Sequence, residues 1–380
     1  MTKKLAIIGA SGFQNPLILA AKARGIETHV FAWAAGDIGE STADFFYPIS
    51  ITEVDAIAAK CESIGVDGIA SIGSDLANIT VAKVAQRLGL PANDIECVLR
   101  STDKAQMRQS FLQNGDPSPW FKVLDAQSDL QSIEFEGPVI VKPADRSGSR
   151  GITKLYAKDG LQDAVARALA ESFNGHALLE EYVEGDEYSV EYFSQGGNHR
   201  FLAVTEKFTT GDPHYIETGH LEPARINADT QRRIRQVVEH ALDGLGVTLG
   251  ASHSEVKVDS EGVVRIIEIG SRMGGDCIGS HLVHLSTGYD FVNAVIDAAL
   301  GVESSAIFGD RRFAAVRFVF GDDDLAALEA IRYEAPDIID YVSPICCEGE
   351  IVDSGTRFGY FVFSDDSYER IEPYLPAGEY

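Results

Sequence analysis

The sequence predicts an α/β fold at the N-terminus that gives way to an α+β fold. Three observations carry that expectation. Short apolar runs alternate with helix-like stretches over the first 95 residues, β-rich hairpin-like patterns run from about 137 to 270, and a composition break at Gly301–Ser305 sets off a short mixed tail. Strands alternating with helices imply a parallel sheet with helical cover.

In order, Lys4–Ile8 reads as a buried strand, Pro16–Arg24 as a helix, and Thr28–Ala32 as a strand. Val54–Cys61 then reads as a helix, Gly68–Ile72 as a strand, and Asn78–Leu88 as a helix stopped at Gly89-Leu90-Pro91. Gly9-Ala-Ser-Gly12 follows the first strand, where a dinucleotide-binding turn would sit. Position 11 is Ser, position 14 is Gln, and the second strand runs into Phe31-Ala-Trp33 instead of an acidic residue, so the dinucleotide fingerprint is incomplete. The expectation is a tight turn onto a helix that helps to shape a substrate pocket.

From about 100 the pattern changes. A helix (Thr102–Gln113) leads to the strand-loop-strand unit GPVIVKPADRSGSRGITKLY, a helix across 159–173, and the strand HALLEEYV. Antiparallel stretches follow to about 270, then a helix at Asp290–Leu300. The expected units are residues 1–95, 96–302 and 303–380, the last a small α+β domain.

Composition bounds the function. The 380 residues are 45% hydrophobic and 24% charged, with a net charge of −26, which argues against nucleic-acid or anionic-membrane partners. Any polyanionic ligand must be met by a local cluster of cations and backbone N–H groups. Cysteines at 61, 97, 277, 346 and 347 form no CxxC pair, and no His stands at zinc-ligand spacing. Reduced structural thiols and a soluble, cytoplasmic protein are the expectation.

Three segments carry chemistry. In the first, Lys142 ends a strand and Asp145-Arg-Ser-Gly-Ser-Arg-Gly151 follows, a loop able to bend over phosphates, with Arg146 and Arg150 as cations. It is not a Walker A loop, since no helix-opening Gly-Lys-Ser/Thr follows. In the second, LLEEYVEGDE places five acidic residues within eight positions after an apolar strand. The third is SEVKVDSEGVVRIIEIGSRMGGD, residues 254–276, read as a hairpin about Asp259-Ser-Glu-Gly262. That turn would set Val258 opposite Val263 and Glu255 opposite Ile266, leaving Glu268 on the face of Glu255 but displaced diagonally by two residues. Two such carboxylates suit Mg²⁺, and Arg272 with Gly274-Gly275 forms a second phosphate-ready turn.

These segments, in this order, resemble the ATP-grasp superfamily, and more narrowly the carboxylate–amine ligases that include bacterial L-amino acid (dipeptide) ligases. The resemblance spans almost the whole chain and rests on DKAQMRQSF, VIVKPADRSGSRG, LLEEYVEGDEYSVE, EVKV…IIEIGSRMGGD and HYIETGHLEPA, whose His220 lies 52 residues before Arg272. It implies a pre-ATP-grasp Rossmann-like domain, a two-part ATP-grasp core with a nucleotide-binding lid at about 115–185, and a small C-terminal domain. It implies that Lys104 and Lys142 contact the nucleotide phosphates under a loop holding Ser147, Gly148, Ser149 and Gly151. Glu180, Glu181 and Val183 would line the adenine edge, Glu187 would bind ribose, and Lys207 would add a phosphate contact. Glu255 and Glu268 would hold Mg²⁺, with Mn²⁺ as an alternative, and Arg272 would stabilise the transferring phosphoryl group. Glu217 and His220 would bind or help deprotonate an incoming amine. Asn commonly stands two residues after the second metal carboxylate; here it is Gly270, so water or Ser271 substitutes, or a second ion is held more weakly. The implied reaction joins a small-molecule carboxylate to an amine through an acyl phosphate, releasing ADP and phosphate, with a homodimer as the candidate assembly. The rivals are other ATP-grasp enzymes (purine-pathway, carbamoyl-phosphate-synthase-like or biotin-carboxylase-like), a non-catalytic nucleotide sensor, and an oxidoreductase using the Gly9–Gly12 turn.

Overall fold

The computed structural model describes residues 2–146, 148, 150–212 and 215–376. Four parallel strands, β1 (Lys4–Ile8), β2 (Glu27–Phe31), β3 (Phe45–Tyr47) and β4 (Gly68–Ala70), form the first sheet in the order β3-β2-β1-β4. Side chains alternate across a strand, and both faces of β1 are covered, which is why its sequence is a continuous apolar run. Leu5 and Ile7 pack with Leu17, Ile18 and Ala21 of helix Asn15–Ala23 and with Phe291 and Val295 of helix Phe291–Ala299. Ala6 and Ile8 face Ile57, Ala58, Val81 and Val84 of helices Val54–Ile64 and Asp75–Leu88. The predicted strands and helices are all present, with ends shifted by a few residues. The short helices Ile38–Thr42 and Ile95–Arg100 and strand β3 escaped the sequence reading.

The second sheet comprises β5 (Phe121–Leu124), β6 (Val139–Pro143), β7 (Thr153–Leu155) and β8 (Ala177–Glu181), in the order β5-β8-β6-β7 and antiparallel throughout. Helix Leu161–Glu171 covers one face through Leu161, Ala164, Val165 and Ala168.

The third sheet has eight strands. They are β9 (Asp186–Gln195), β10 (Asn198–Thr209), β11 (Glu217–Glu222), β12 (Leu249–Val258), β13 (Val264–Gly270), β14 (Phe313–Phe318), β15 (Ile339–Val342) and β16 (Tyr360–Asp365). Their order is β13-β12-β9-β10-β11-β14-β16-β15. The strands after residue 303 therefore continue this sheet, with β14 paired to β11 over Gly219–Glu222.

Two sequence readings are corrected. The stretch read as continuous antiparallel strand contains helix Ala228–Leu245. Its start is chemically marked: the Asn227 side chain accepts from Thr230 N at 2.9 Å. Ile234, Val238, Ala241, Leu242 and Leu245 make one apolar stripe against the sheet, and Gly246 ends the helix in the left-handed conformation. The second correction concerns register. Val258 pairs with Val264, Val256 with Ile266, and Glu255 with Glu268 directly, because a bulge inserts Ile267. Arg108 Nη2 donates to the Ile267 carbonyl at 2.7 Å, holding that bulge from outside the hairpin.

Candidate active site

A cavity of about 1020 Å³ lies between the second and third sheets, with walls added by the N-terminal domain and by residues 354–357. The bulge at Ile267 matters here, since it turns the two carboxylates of the hairpin from diagonal to facing positions. Glu255 and Glu268 are each partly open to the cavity.

Four cations surround them. Lys104 starts helix Lys104–Asn114, whose Asp103 cap accepts from Gln106 N, and its own N–H donates to the Ala144 carbonyl at 2.7 Å beyond β6. Its Nζ donates to Glu268 Oε1 at 3.0 Å and to the Arg146 carbonyl at 2.8 Å. Burial disfavours the Lys104 charge, but Glu268 outweighs it and holds the ammonium above its usual range. Lys207 reaches Glu187 at 2.6 Å and Glu255 at 2.8 Å, with Glu217 at 3.8 Å. Burial would raise the Glu255 carboxyl, yet Lys207 and then His253 keep it well below the usual range. Arg272 forks onto Asp75 at 2.7 and 3.0 Å. Asp75 opens helix Asp75–Leu88, so the N-terminal domain aims this guanidinium. Lys142 pairs with Glu180, which also takes Arg108 at 2.9 Å. Burial, with Arg108 and Lys104 as like charges, pulls the Lys142 ammonium below its usual range despite Glu180.

Most predicted residues thus converge on one cavity, though not always in the expected posture. Glu180 is buried in the cavity wall, and its carboxylate pairs with Lys142 and Arg108. Glu181 pairs with Arg265 at 2.6 Å on the rim, while Val183 is buried in the cavity wall. Gly148 lines the cavity; Gly151 sits beside it, while Ser147 and Ser149 lie outside the described residues. Ser271 is not free to replace the missing Asn: its hydroxyl is 2.7 Å from Ser101 Oγ and 3.2 Å from Asn78 Nδ2, facing the N-terminal domain. Phe13, just past the Gly9–Gly12 turn, lines the cavity, and Gln14 Nε2 donates to the Ile72 carbonyl to hold that turn.

Glu217 and His220 sit together on β11. Glu217 Oε2 accepts from Ser354 Oγ at 2.7 Å, and its carbonyl accepts from Arg357 Nη1 at 3.2 Å. Burial holds the His220 imidazole below its usual pKa even though Asp276 pulls the other way. Asp276 and Cys277 both adopt positive φ, 47° and 66°, uncommon for side-chain-bearing residues. Arg357 clamps Asp276 with two hydrogen bonds of 2.6 and 3.1 Å. Gly274 is required where the chain passes Glu191 and His253, because a Cβ would come within 2.8 Å of each. Glu191 pairs with His253, whose pKa is pushed up to about 9: burial opposes the charge, and Glu191 and then Glu255 outweigh it.

Sequence reasoning missed Asp75, Arg108, Glu191, His253, Asp276, Ser354 and Arg357. Asp75, Ser354 and Arg357 reach the site from distant segments, whereas Arg108, Glu191, His253 and Asp276 lie within or beside the quoted motifs and take their roles from partners that only the folded chain brings to them.

The donor set suits Mg²⁺. Among the described residues no group of three His, Cys, Asp or Glu side chains is placed to hold a metal ion. A cation at Glu255 and Glu268 must then complete its shell with water and ligand oxygens, as Mg²⁺ does with phosphates. Among the described residues no helix is long and apolar enough to cross a membrane.

Residues 135–280 match the ATP-grasp domain family. The chain is 27% identical over 334 residues to the uncharacterized protein y4rH of Sinorhizobium fredii, covering 83% of this chain and 68% of that one. It is 25% identical over 275 residues to alanine–anticapsin ligase of Bacillus subtilis, covering 63% of this chain and 58% of the relative's length. The fold is that of L-amino acid ligase from Bacillus licheniformis, with a TM-score of 0.84, 23% identity, and coverage of 98% and 96% of the two chains.

Proposed function

We propose, from the match of residues 135–280 to the ATP-grasp domain family, that this chain is an ATP-dependent ligase joining a small-molecule carboxylate to an amine through an acyl phosphate. The observation that carries the reading is the convergence of Glu255 and Glu268 with Lys104, Lys142, Lys207 and Arg272 on one cavity. Phosphoryl transfer asks a protein for positioning and charge neutralisation, and that cluster offers both.

Mg²⁺ held by Glu255 and Glu268 would neutralise charge on the nucleotide phosphates. Lys104 and Lys207 neutralise those carboxylates here, and both line the cavity, so either would turn to phosphate oxygens once a nucleotide is bound. Lys142, whose ammonium is disfavoured by burial and by Arg108 and Lys104, would gain a counter-charge from an entering phosphate. Arg272, held by Asp75, lines the cavity and would stabilise negative charge on the transferring group. The glycine-rich loop is tied to the far wall by Arg150 and Asp353 at 3.1 Å, and this closure keeps water from an acyl phosphate. Glu217 and His220 receive the amine, which attacks the acyl carbon as phosphate leaves.

The test is Mg²⁺-dependent ADP release in a screen of carboxylates and amines, singly and in pairs. Stimulation that needs one acid and one amine supports the ligase. Turnover with bicarbonate or a phosphoribosyl amine alone would favour another ATP-grasp reaction, and NAD(P) binding without ATP turnover would overturn the reading.

A further inference from the structure

His220 is almost wholly enclosed, yet neither ring nitrogen has a hydrogen-bond partner among the described residues. Buried polar atoms are nearly always paired, so a free imidazole on a cavity wall points to a ligand group. The natural protein partner is Asp276, but its Oδ2 stands 3.9 Å from His220 Nε2, beyond hydrogen-bond reach. Both Asp276 oxygens are taken by Arg357, a planar two-donor clamp. Arg357 is fixed in turn: its guanidinium lies 3.5 Å over the Phe318 ring, Nε donates to the Ser354 carbonyl at 2.7 Å, and Nη1 donates to the Glu217 carbonyl.

We propose that Arg357 is a positioning residue that holds the Asp276 carboxylate away from His220, leaving the ring neutral and free to take a proton from the amine substrate. This rests on the ligase reading for its substrate, though not for its geometry. In the step served, an amine N–H bond breaks and an N–H bond forms on the ring. The nitrogen lone pair attacks the acyl carbon, and the C–O bond to phosphate breaks with its electrons leaving on phosphate. The groups facing His220 are Asp276 from the loop before Cys277, Lys207 on β10, Glu217 on its own strand, and the Phe318 ring from β14, with Arg357 behind Asp276 and over that ring. Removing Arg357 releases Asp276 to reach the ring, and a carboxylate at hydrogen-bond distance favours the imidazolium.

The experiment titrates His220 by nitrogen-detected NMR in the unliganded full chain, its signal assigned by loss in His220→Gln. In Arg357→Met the His220 midpoint should rise by about one pH unit or more, the scale of one opposite charge at 4–6 Å. Arg357→Lys should restore most of the parent midpoint, and Arg357→Met with Asp276→Asn should abolish the rise. The acid limb of amine-stimulated ADP release should move with the ring. An unmoved His220 in a folded Arg357→Met protein, or a rise that persists without the Asp276 carboxylate, would overturn the proposal. A moved ring in a protein with no amine-stimulated turnover would support the Arg357 assignment while sinking the ligase reading.

Discussion

Glu222 offers a stability measurement whose size follows from its surroundings. It is fully buried on β11, two residues beyond His220, and among the described residues its carboxyl is hydrogen-bonded by two hydroxyls: Thr205 Oγ1 donates at 2.6 Å and Ser286 Oγ donates to the other oxygen. Burial is the dominant cause that pushes its pKa up from 4.5 to about 7; the two hydroxyls oppose it, and Glu191 adds to it. The unfolded chain therefore loses this proton at lower pH than the folded one does. The stabilising contribution is complete below the unfolded value of 4.5 and is lost as pH rises to about 7, levelling off above. At 1.36 kcal/mol per pKa unit, that window amounts to about 3 kcal/mol. Glu222→Gln keeps the shape and removes the ionisation, so it should gain on the parent as pH rises. Urea unfolding of both proteins at about pH 5 and about pH 8 should show the difference between them change by about 2.5 kcal/mol in the variant's favour. Comparing the two proteins cancels every other titrating group. A difference that stays constant between the two pH values would refute the assignment of a neutral buried carboxyl.

Other outcomes follow from the same contacts. Glu268→Ala should cut Mg²⁺-dependent ATP turnover by about a hundredfold or more while leaving the circular dichroism spectrum unchanged; near-normal turnover would remove Glu268 from the metal pair. Arg108→Met leaves Glu180 with Lys142 alone in a dry setting and frees the Ile267 carbonyl, so stability should fall by about 3–5 kcal/mol in urea unfolding. Adding Glu180→Gln should recover part of that loss. Asp75→Asn removes the charge that steers Arg272, and kcat should drop about tenfold with little change in the KM for ATP. Arg150→Ala breaks a half-exposed pair worth under about 1 kcal/mol, so its mark should be a few-fold rise in ATP hydrolysis uncoupled from amine.

The sequence made the parallel sheet legible because both faces of β1 are covered, and a doubly covered strand writes itself as an apolar run. The carboxylate pair was legible too, since Glu268 interrupts such a run where a lone charge is costly. Its register was not. The bulge shifts the buried alternation from Val264 and Ile266 to Ile269, a slip hard to see in so apolar a strand, and the contact on its Ile267 carbonyl comes from Arg108, some 160 residues earlier. Helix Ala228–Leu245 had both an Asn cap and an apolar stripe, so its signal was present and was overlooked among neighbouring β-rich segments. The posture of Glu180 was beyond reach, because a carboxylate's partners are chosen by folding and not by spacing. Asp75 and Arg357 were invisible for the same reason; Asp276 closes the quoted 254–276 segment, but its Arg357 partner stands 81 residues further on.

The pairing of β14 with β11 has a consequence for dissecting this chain. Cutting near residue 303 would not detach an appendage. It would bare the outer edge of β11 along Gly219–Glu222, leaving a row of unpaired N–H and C=O groups ready to recruit another chain. The same cut would strip Ser354 from Glu217 and Arg357 from Asp276, so a shortened protein would be both self-adhesive and missing a wall of its own cavity.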